Sequence, residues 1–426
     1  MRCEHQRRAQ SIKCDRFALF RRSVVVSQCQ NIVATQTGSP AKDTDKEEPR
    51  RTKTATSLNL TLYTHIPMPT ILKQWFLGQP TPTPLPRILL LDGGVSTHME
   101  TKGATFAHRE LWSSSLLLDD DDNDEGSKTI VAGHKDWLNV GGVNLISTVT
   151  YQCHYDPSLW PSTGAVRDEA HMDDLWRHAA DLAHQAVTET TTNDRFHGIV
   201  ASSGCFGGAL ANGAEYTGDY GNRTLADLQA FHARKLQIMQ TLPIDAIALE
   251  TVPSLEECRA LRELFTTGTT MPEMACWISL SCRNGYELND GTPVTQALQV
   301  LEDIPIESVQ AFGFNCCHAK DLPALLKVLT EHYEKHNNRQ QRGIVLYPNS
   351  GETWNAATED WQPGTGCTDC HDMAAQLMDC VQQIDNAAAG SGVRIIVGGC
   401  CRTTPATLAA LRNRVDAYLK NQRNIG

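Results

Sequence analysis

No apolar run in this chain of 426 residues approaches the roughly 18 residues that a membrane-crossing helix needs, so no spanning segment is expected and the protein should be soluble. Nor is there an excess of positive charge. With 38 Lys and Arg against 49 Asp and Glu the net charge is −11, which excludes nucleic acid and anionic membrane surfaces as principal partners and leaves small molecules. A GxGxxG motif is missing after the first strand-like run, which argues against a dinucleotide-binding doubly wound sheet. The short, evenly spaced cysteine framework of secreted domains is missing too. The 15 cysteines are odd in number and scattered along a long chain, as in a protein of a reducing compartment.

Residues 1–85 are polar, rich in Pro and Thr towards their end, and without sustained periodicity, the pattern of a disordered leader. Its start carries Arg2, Arg7, Arg8, Lys13, Arg16, Arg21 and Arg22 against Glu4 and Asp15 only, a transit-peptide composition. A solvated tail on a cytoplasmic protein is the simpler reading, with mitochondrial import as the alternative. Met68 would also permit a later start.

From residue 86 the text changes, and short apolar runs alternate with longer helical patterns. Eight strands are expected: 88–91, 143–147, 198–202, 246–250, 276–280, 310–314, 343–347 and 395–399. The helices between and after them are 169–187, 225–241, 255–265, 294–301, 322–334, 373–384 and 405–418. Ser254-Leu255-Glu256-Glu257 has the form of a capping box. This alternation predicts an α/β fold, a single (β/α)8 barrel of the TIM type over residues 86–420. An insertion at about 113–130, with Asp119 to Asp122, Asp124 and Glu125, reads as a solvated acidic loop, because it lacks the spaced ligands of a calcium loop.

In such a barrel the chemistry belongs at the strands' C-terminal ends. The last strand ends in Gly398-Gly399-Cys400-Cys401, and Thr404-Pro405 then reads as an N-cap followed by proline at the first helical position. Adjacent cysteines, with diverging side chains, invite a third ligand from elsewhere. Cys316, closing another apolar run, is the best candidate. Three thiolates with an open fourth position describe a catalytic zinc site rather than a closed structural one. Cys317 and His318 could substitute for Cys316. Cys205, Cys258, Cys276, Cys282 and Cys380 read as core thiols. Cys367-Thr368-Asp369-Cys370-His371 fits a haem-attachment or redox pattern, although a helix-start segment is the plainer reading. Asp92 and Glu250, each acidic at the end of an apolar strand, suit binding of a small polar ligand.

Six motifs in order resemble the homocysteine S-methyltransferase family: Leu91-Asp-Gly-Gly, Thr148-Val-Thr-Tyr-Gln, Glu250-Thr-Val-Pro-Ser, Gly313-Phe-Asn-Cys, Tyr347-Pro-Asn-Ser-Gly-Glu and Gly398-Gly-Cys-Cys-Arg-Thr-Thr-Pro. The resemblance spans nearly all of 88–415. It implies Zn²⁺ held by Cys316, Cys400 and Cys401, with the thiol of homocysteine in the fourth position. It also implies Asp92 and Glu250 on the substrate amino group, the backbone around Gly93 with the Thr148 and Thr150 turn on its carboxylate, and Asn315 shaping the site. The expected reaction is methyl transfer from S-methylmethionine or S-adenosylmethionine to give methionine. Alternatives are a betaine-using or selenocysteine-methylating enzyme on the same barrel, or a zinc-binding barrel without catalysis. His98 and Met99, in place of the usual acidic residue and leucine, depart from the family pattern.

Overall fold

The computed structural model describes residues 69–425, except 107, 109, 119–123, 191–194, 268–271, 336–341, 353, 356–359, 363 and 388–391. The leader up to residue 68, with its transit-peptide composition, lies outside the described residues. No described helix is long and apolar enough to cross a membrane.

The eight expected strands all form: β1 (Ile88–Leu90), β2 (Leu145–Ser147), β3 (Gly198–Gly204), β4 (Ala246–Val252), β5 (Ala275–Leu280), β6 (Ala311–His318), β7 (Gly343–Asn349) and β8 (Ile395–Val397). They make one parallel sheet in which β1 pairs with β8 and each remaining strand pairs with its sequence neighbour. A parallel bridge from Leu91 to Leu145 brings β1 against β2, closing the sheet into a barrel. Because both faces are covered, the strands read as continuous apolar runs although their side chains still alternate. Leu89, Val200, Ala248, Trp277, Val345 and Ile396 fill the interior, whereas Ile88, Leu90, Ile395 and Val397 face the surrounding helices.

A helix not expected from the sequence, α1 (Ile71–Phe76), closes the N-terminal end. Leu72, Trp75 and Phe76 join the interior cluster, Thr70 donates to the carbonyls of Glu273 and Asp245, and Lys73 reaches that of Pro272. The folded part therefore starts before residue 86, and the leader assignment is corrected over 69–85. Proline-rich composition concealed a single short helical turn with three large apolar side chains.

Asp119 to Asp122 of the 113–130 insertion lie outside the described residues, and most of its described part is helical rather than loop. Residues Trp112–Leu118 form a 3-10 helix whose Ser113 to Leu117 are buried, and α3 begins at Glu125 and runs to Asp136. Four strands also extend further at their C-terminal ends than their apolar runs suggested, since ladder pairing continues into polar residues such as Ser203, Thr251, Asn315 and Asn349. Those extensions build the rim. Between the strands lie α2 (Val95–Thr101), α4 (Glu169–Glu189), α5 (Phe206–Leu210), α6 (Leu225–Met239), α7 (Leu255–Thr267), α8 (Val294–Leu301) and α9 (Leu322–Lys335). Two more follow, α10 (Cys370–Ala387) and α11 (Pro405–Ile425). Helix α10 starts three residues early because Asp369 accepts from the N–H groups of His371 and Asp372, so Cys370 is a helix-start residue. Only half of the expected capping box is present. Ser254 accepts from the Glu257 N–H, but the Glu257 carboxylate turns inward instead of returning to the cap.

Candidate metal and substrate site

Cys316 lies two residues before the end of β6, where the pairing with β7 shifts register, and its left-handed backbone conformation, φ 50°, takes it out of the strand's alternation. Cys400 and Cys401 follow β8, where the chain is tied down on three sides. The Cys400 N–H donates to the Pro348 carbonyl at 2.7 Å, the Ser350 N–H donates to the Cys401 carbonyl at 3.0 Å, and the Thr403 hydroxyl donates to the Cys400 carbonyl at 2.7 Å. The three sulfurs lie within 4.8 Å of one another, and among the described residues no other group of three or more His, Cys, Asp or Glu side chains converges in this way. The adjacent thiols do not diverge as expected: their sulfurs are 4.0 Å apart and both face Cys316. That spacing is close to the roughly 3.8 Å between two sulfurs on a tetrahedral zinc ion with Zn–S of about 2.3 Å. Donor type and spacing both fit a thiophilic ion.

The thiols also share charge. Bonds from Cys316 and Cys400 hold Cys401 below the ordinary thiol range, while the bonds of Cys400 with Cys316 and Cys401 push Cys400 above it. The neighbouring Cys317, 2% exposed, packs into the layer between sheet and helices, and neither it nor His318 joins the cluster. Non-glycine residues with positive φ gather here: besides Cys316, Thr251 stands at 61° and Arg402 at 65°. Local strain of this kind persists where the surroundings over-determine the backbone. At Arg402 a two-pronged pair with Glu352 supplies part of that constraint, at 3.0 and 3.1 Å.

Asp92, 2% exposed, does not cap the segment after it. Its carboxylate accepts from the Ser147 N–H at 2.6 Å and the Ser147 hydroxyl at 2.9 Å, tying β1 to β2. Burial raises its pKa to about 7 against the pull of these bonds, and Glu250 adds to the rise. Glu250 accepts from the Ser202 hydroxyl. Burial carries it likewise to about 7, opposed by bonds from Ser202 and Tyr347. Two carboxyls poised to lose a proton when a cation arrives suit an ammonium ligand.

A carboxyl that holds its proton in the folded state and releases it when unfolded costs stability as pH rises between the two pKa values. For Asp92 that window runs from about 4 to about 7. Asp92→Asn is therefore expected to gain stability over wild type with rising pH, by up to roughly 3–4 kcal/mol between pH 4 and pH 8. Urea unfolding at the two pH values checks this, and a constant difference would mean that Asp92 is ionised throughout.

The other sequence candidates take different parts. The Thr148 and Thr150 hydroxyls bond each other at 2.6 Å, Thr150 donates to the Ser202 carbonyl, and Thr148 accepts from the Ser202 N–H, so both pin the turn after β2 to β3. Asn315, 1% exposed, accepts from the Thr251 N–H and donates to its hydroxyl, both at 2.8 Å, fixing β4 to β6. A side chain at Gly93 would meet Thr403 Oγ1 at 2.4 Å and the Trp137 ring at 2.6 Å, so only glycine fits beneath the last strand's loop. Ser147, Ser202 and Tyr347 were not anticipated. Ser202 was findable, being an inward position two residues beyond Val200 on β3. Tyr216, whose hydroxyl lies 3.8 Å from Cys316 Sγ, comes from a loop 100 residues away and left no signal in the sequence.

A parallel barrel whose C-terminal rim brings three thiols together with a buried and a half-buried carboxyl defines the class: a (β/α)8 protein with a thiol-lined centre at its catalytic end. Comparison with known proteins makes that specific. Residues 89–415 match the homocysteine S-methyltransferase family. A homocysteine S-methyltransferase from Escherichia coli (strain K12) is 34% identical over 331 residues, covering 77% of this chain and 95% of that protein. A selenocysteine Se-methyltransferase from Brassica oleracea var. italica is 28% identical over 342 residues, covering 76% and 88%. The metallated form of the homocysteine methyltransferase MmuM from Escherichia coli has a TM-score of 0.57 and 30% identity, covering 77% of this chain and 96% of that one. The chain belongs to the homocysteine S-methyltransferase family, and with it to the methyltransferases.

Proposed function

We propose that this protein is a zinc-dependent homocysteine S-methyltransferase that takes its methyl group from S-methylmethionine or S-adenosylmethionine and forms methionine. The convergence of Cys316, Cys400 and Cys401 at the barrel mouth carries this reading. A zinc ion held by these thiolates would leave one position for the substrate sulfur and lower that thiol's pKa, so that it is anionic near neutral pH.

Asp92 and Glu250 would grip the ammonium group of homocysteine, each surrendering its proton as the cation enters. Because the Thr148 and Thr150 hydroxyls are engaged with Ser202, the substrate carboxylate falls to the backbone of their turn and of Gly93. Methyl transfer makes a carbon–sulfur bond at homocysteine and breaks one at the sulfonium, whose sulfur leaves as a neutral thioether. The leaving group needs no proton, so the barrel residues contribute alignment. Cytoplasmic residence belongs to the same proposal, since three unpaired thiols must stay reduced.

Turnover with homocysteine is tested by offering S-methylmethionine, S-adenosylmethionine and betaine in competition. Methionine formed from either sulfonium and not from betaine is the expected result; turnover with betaine alone would overturn the assignment. The selenocysteine-methylating relative supports a second acceptor. Replacing homocysteine with selenocysteine under the same conditions measures it.

A further inference from the structure

A buried lysine that the proposed chemistry does not use stands directly behind the site. Lys235, on α6, is fully buried, its Nζ donates to the Gly204 carbonyl at 2.6 Å, and it lies 4.0 Å from the centre of the Phe231 ring. None of the ion pairs among the described residues includes it. Burying an ammonium group with one carbonyl and an aromatic face as its partners is costly, and hydrophobic packing would serve the core better.

Its position suggests what offsets that cost. Gly204 is the last residue of β3 and pairs in register with Glu250 on β4, while its N–H donates to the carbonyl of Tyr151 in the turn after β2. The residue whose carbonyl Lys235 holds therefore links the two elements proposed to bind the substrate. A side chain at Gly204 would meet the Tyr151 carbonyl at 2.5 Å, so only backbone lies at this point of the rim. Burial pulls the Lys235 pKa down to about 7, Glu257 and, more weakly, Glu250 favour its charged form, and Lys235 in turn favours the ionised form of Glu250. Glu257, fully buried on α7, is the carboxylate that most favours the charged lysine and is itself bonded to His232, Tyr220 and the Phe206 N–H.

We propose that Lys235 is a positioning residue for homocysteine: its buried charge, held against the Gly204 carbonyl, supports the carboxylate that Glu250 presents to the substrate ammonium and fixes the β2–β3 rim beside it. This rests on Glu250 being a substrate contact, as proposed above.

The test compares steady-state kinetics and thermal stability of the zinc-loaded full chain for wild type, Lys235→Met, Lys235→Arg and Glu250→Gln. Methionine leaves the pocket filled and removes the charge. Lys235→Met should raise KM for homocysteine on the order of tenfold with kcat within about threefold of wild type, a loss of about 1.4 kcal/mol in binding. Some loss of Tm is expected, because Glu257 is left buried without its balancing cation, but arginine should restore it together with KM. Glu250→Gln should raise KM at least as much.

An unchanged KM in Lys235→Met, with KM raised in Glu250→Gln, would overturn the role of Lys235 alone. An unchanged KM in Glu250→Gln would overturn the substrate contact on which it rests. Loss of Tm together with affinity in Lys235→Met, not restored by arginine, would reduce the lysine to a structural part and overturn the inference as well.

Discussion

Cys401→Ser is expected to release the metal and to lower methyl transfer on the order of a thousandfold, equivalent to about 4 kcal/mol of transition-state stabilisation. Serine keeps the shape of the loop after β8 but not the thiolate, and Cys401 is one of the three sulfurs that converge at the barrel mouth. Cys316→Ser should behave alike, because the three sulfurs share one point. Cys317→Ser provides the contrast. Its side chain is buried among apolar residues away from the cluster, so it should lose some stability and keep its metal and its turnover. Metal content and rate measured on the same samples separate these outcomes. Metal retained by Cys401→Ser, or lost from Cys317→Ser, would reassign the ligands.

The second large effect concerns stability. Glu257, fully buried, accepts from His232 Nε2 at 2.7 Å, from Tyr220 at 2.5 Å and from the Phe206 N–H at 2.8 Å, binding α6, α7 and the loop after β3 together. Burial works against its charge, but the His232 and Tyr220 bonds outweigh it and its pKa lies below the usual 4.5. The stabilisation is therefore complete above about pH 4.5 and fades as pH falls through the lower folded value. Glu257→Ala leaves three donors unpaired and Lys235 without its balancing charge, and should cost about 3–5 kcal/mol at pH 7. The midpoint of urea unfolding reports this directly. A cost below about 1 kcal/mol would mean that water replaces the carboxylate and that no clamp exists.

That clamp shows where sequence reading ends. Glu257 has the spacing of a capping-box residue, and its helix does begin where the box predicts, yet its carboxylate is drawn away by partners that only the folded barrel brings near. Local pattern located the helix; tertiary contact decided the side chain. The strands were legible because barrel strands are buried on both faces and read as apolar runs. Their polar extensions were not, because pairing rather than hydrophobicity carries a residue such as Asn315 into β6. Among the site residues, Cys400 and Cys401 announced themselves by adjacency at a strand end. Cys316 rather than Cys317 follows from a backbone excursion, φ 50°, that no composition encodes. Helix α1 escaped because six residues are too few for a helical period to emerge from a proline-rich segment.

One measurement bears most directly on the three-thiol centre as the seat of methyl transfer: metal analysis of the purified full chain together with methionine formation from homocysteine and S-methylmethionine, before and after treatment with a chelator. About one zinc per chain is expected, with turnover lost on chelation and regained when zinc is added back. Full turnover by metal-free protein would contradict the account.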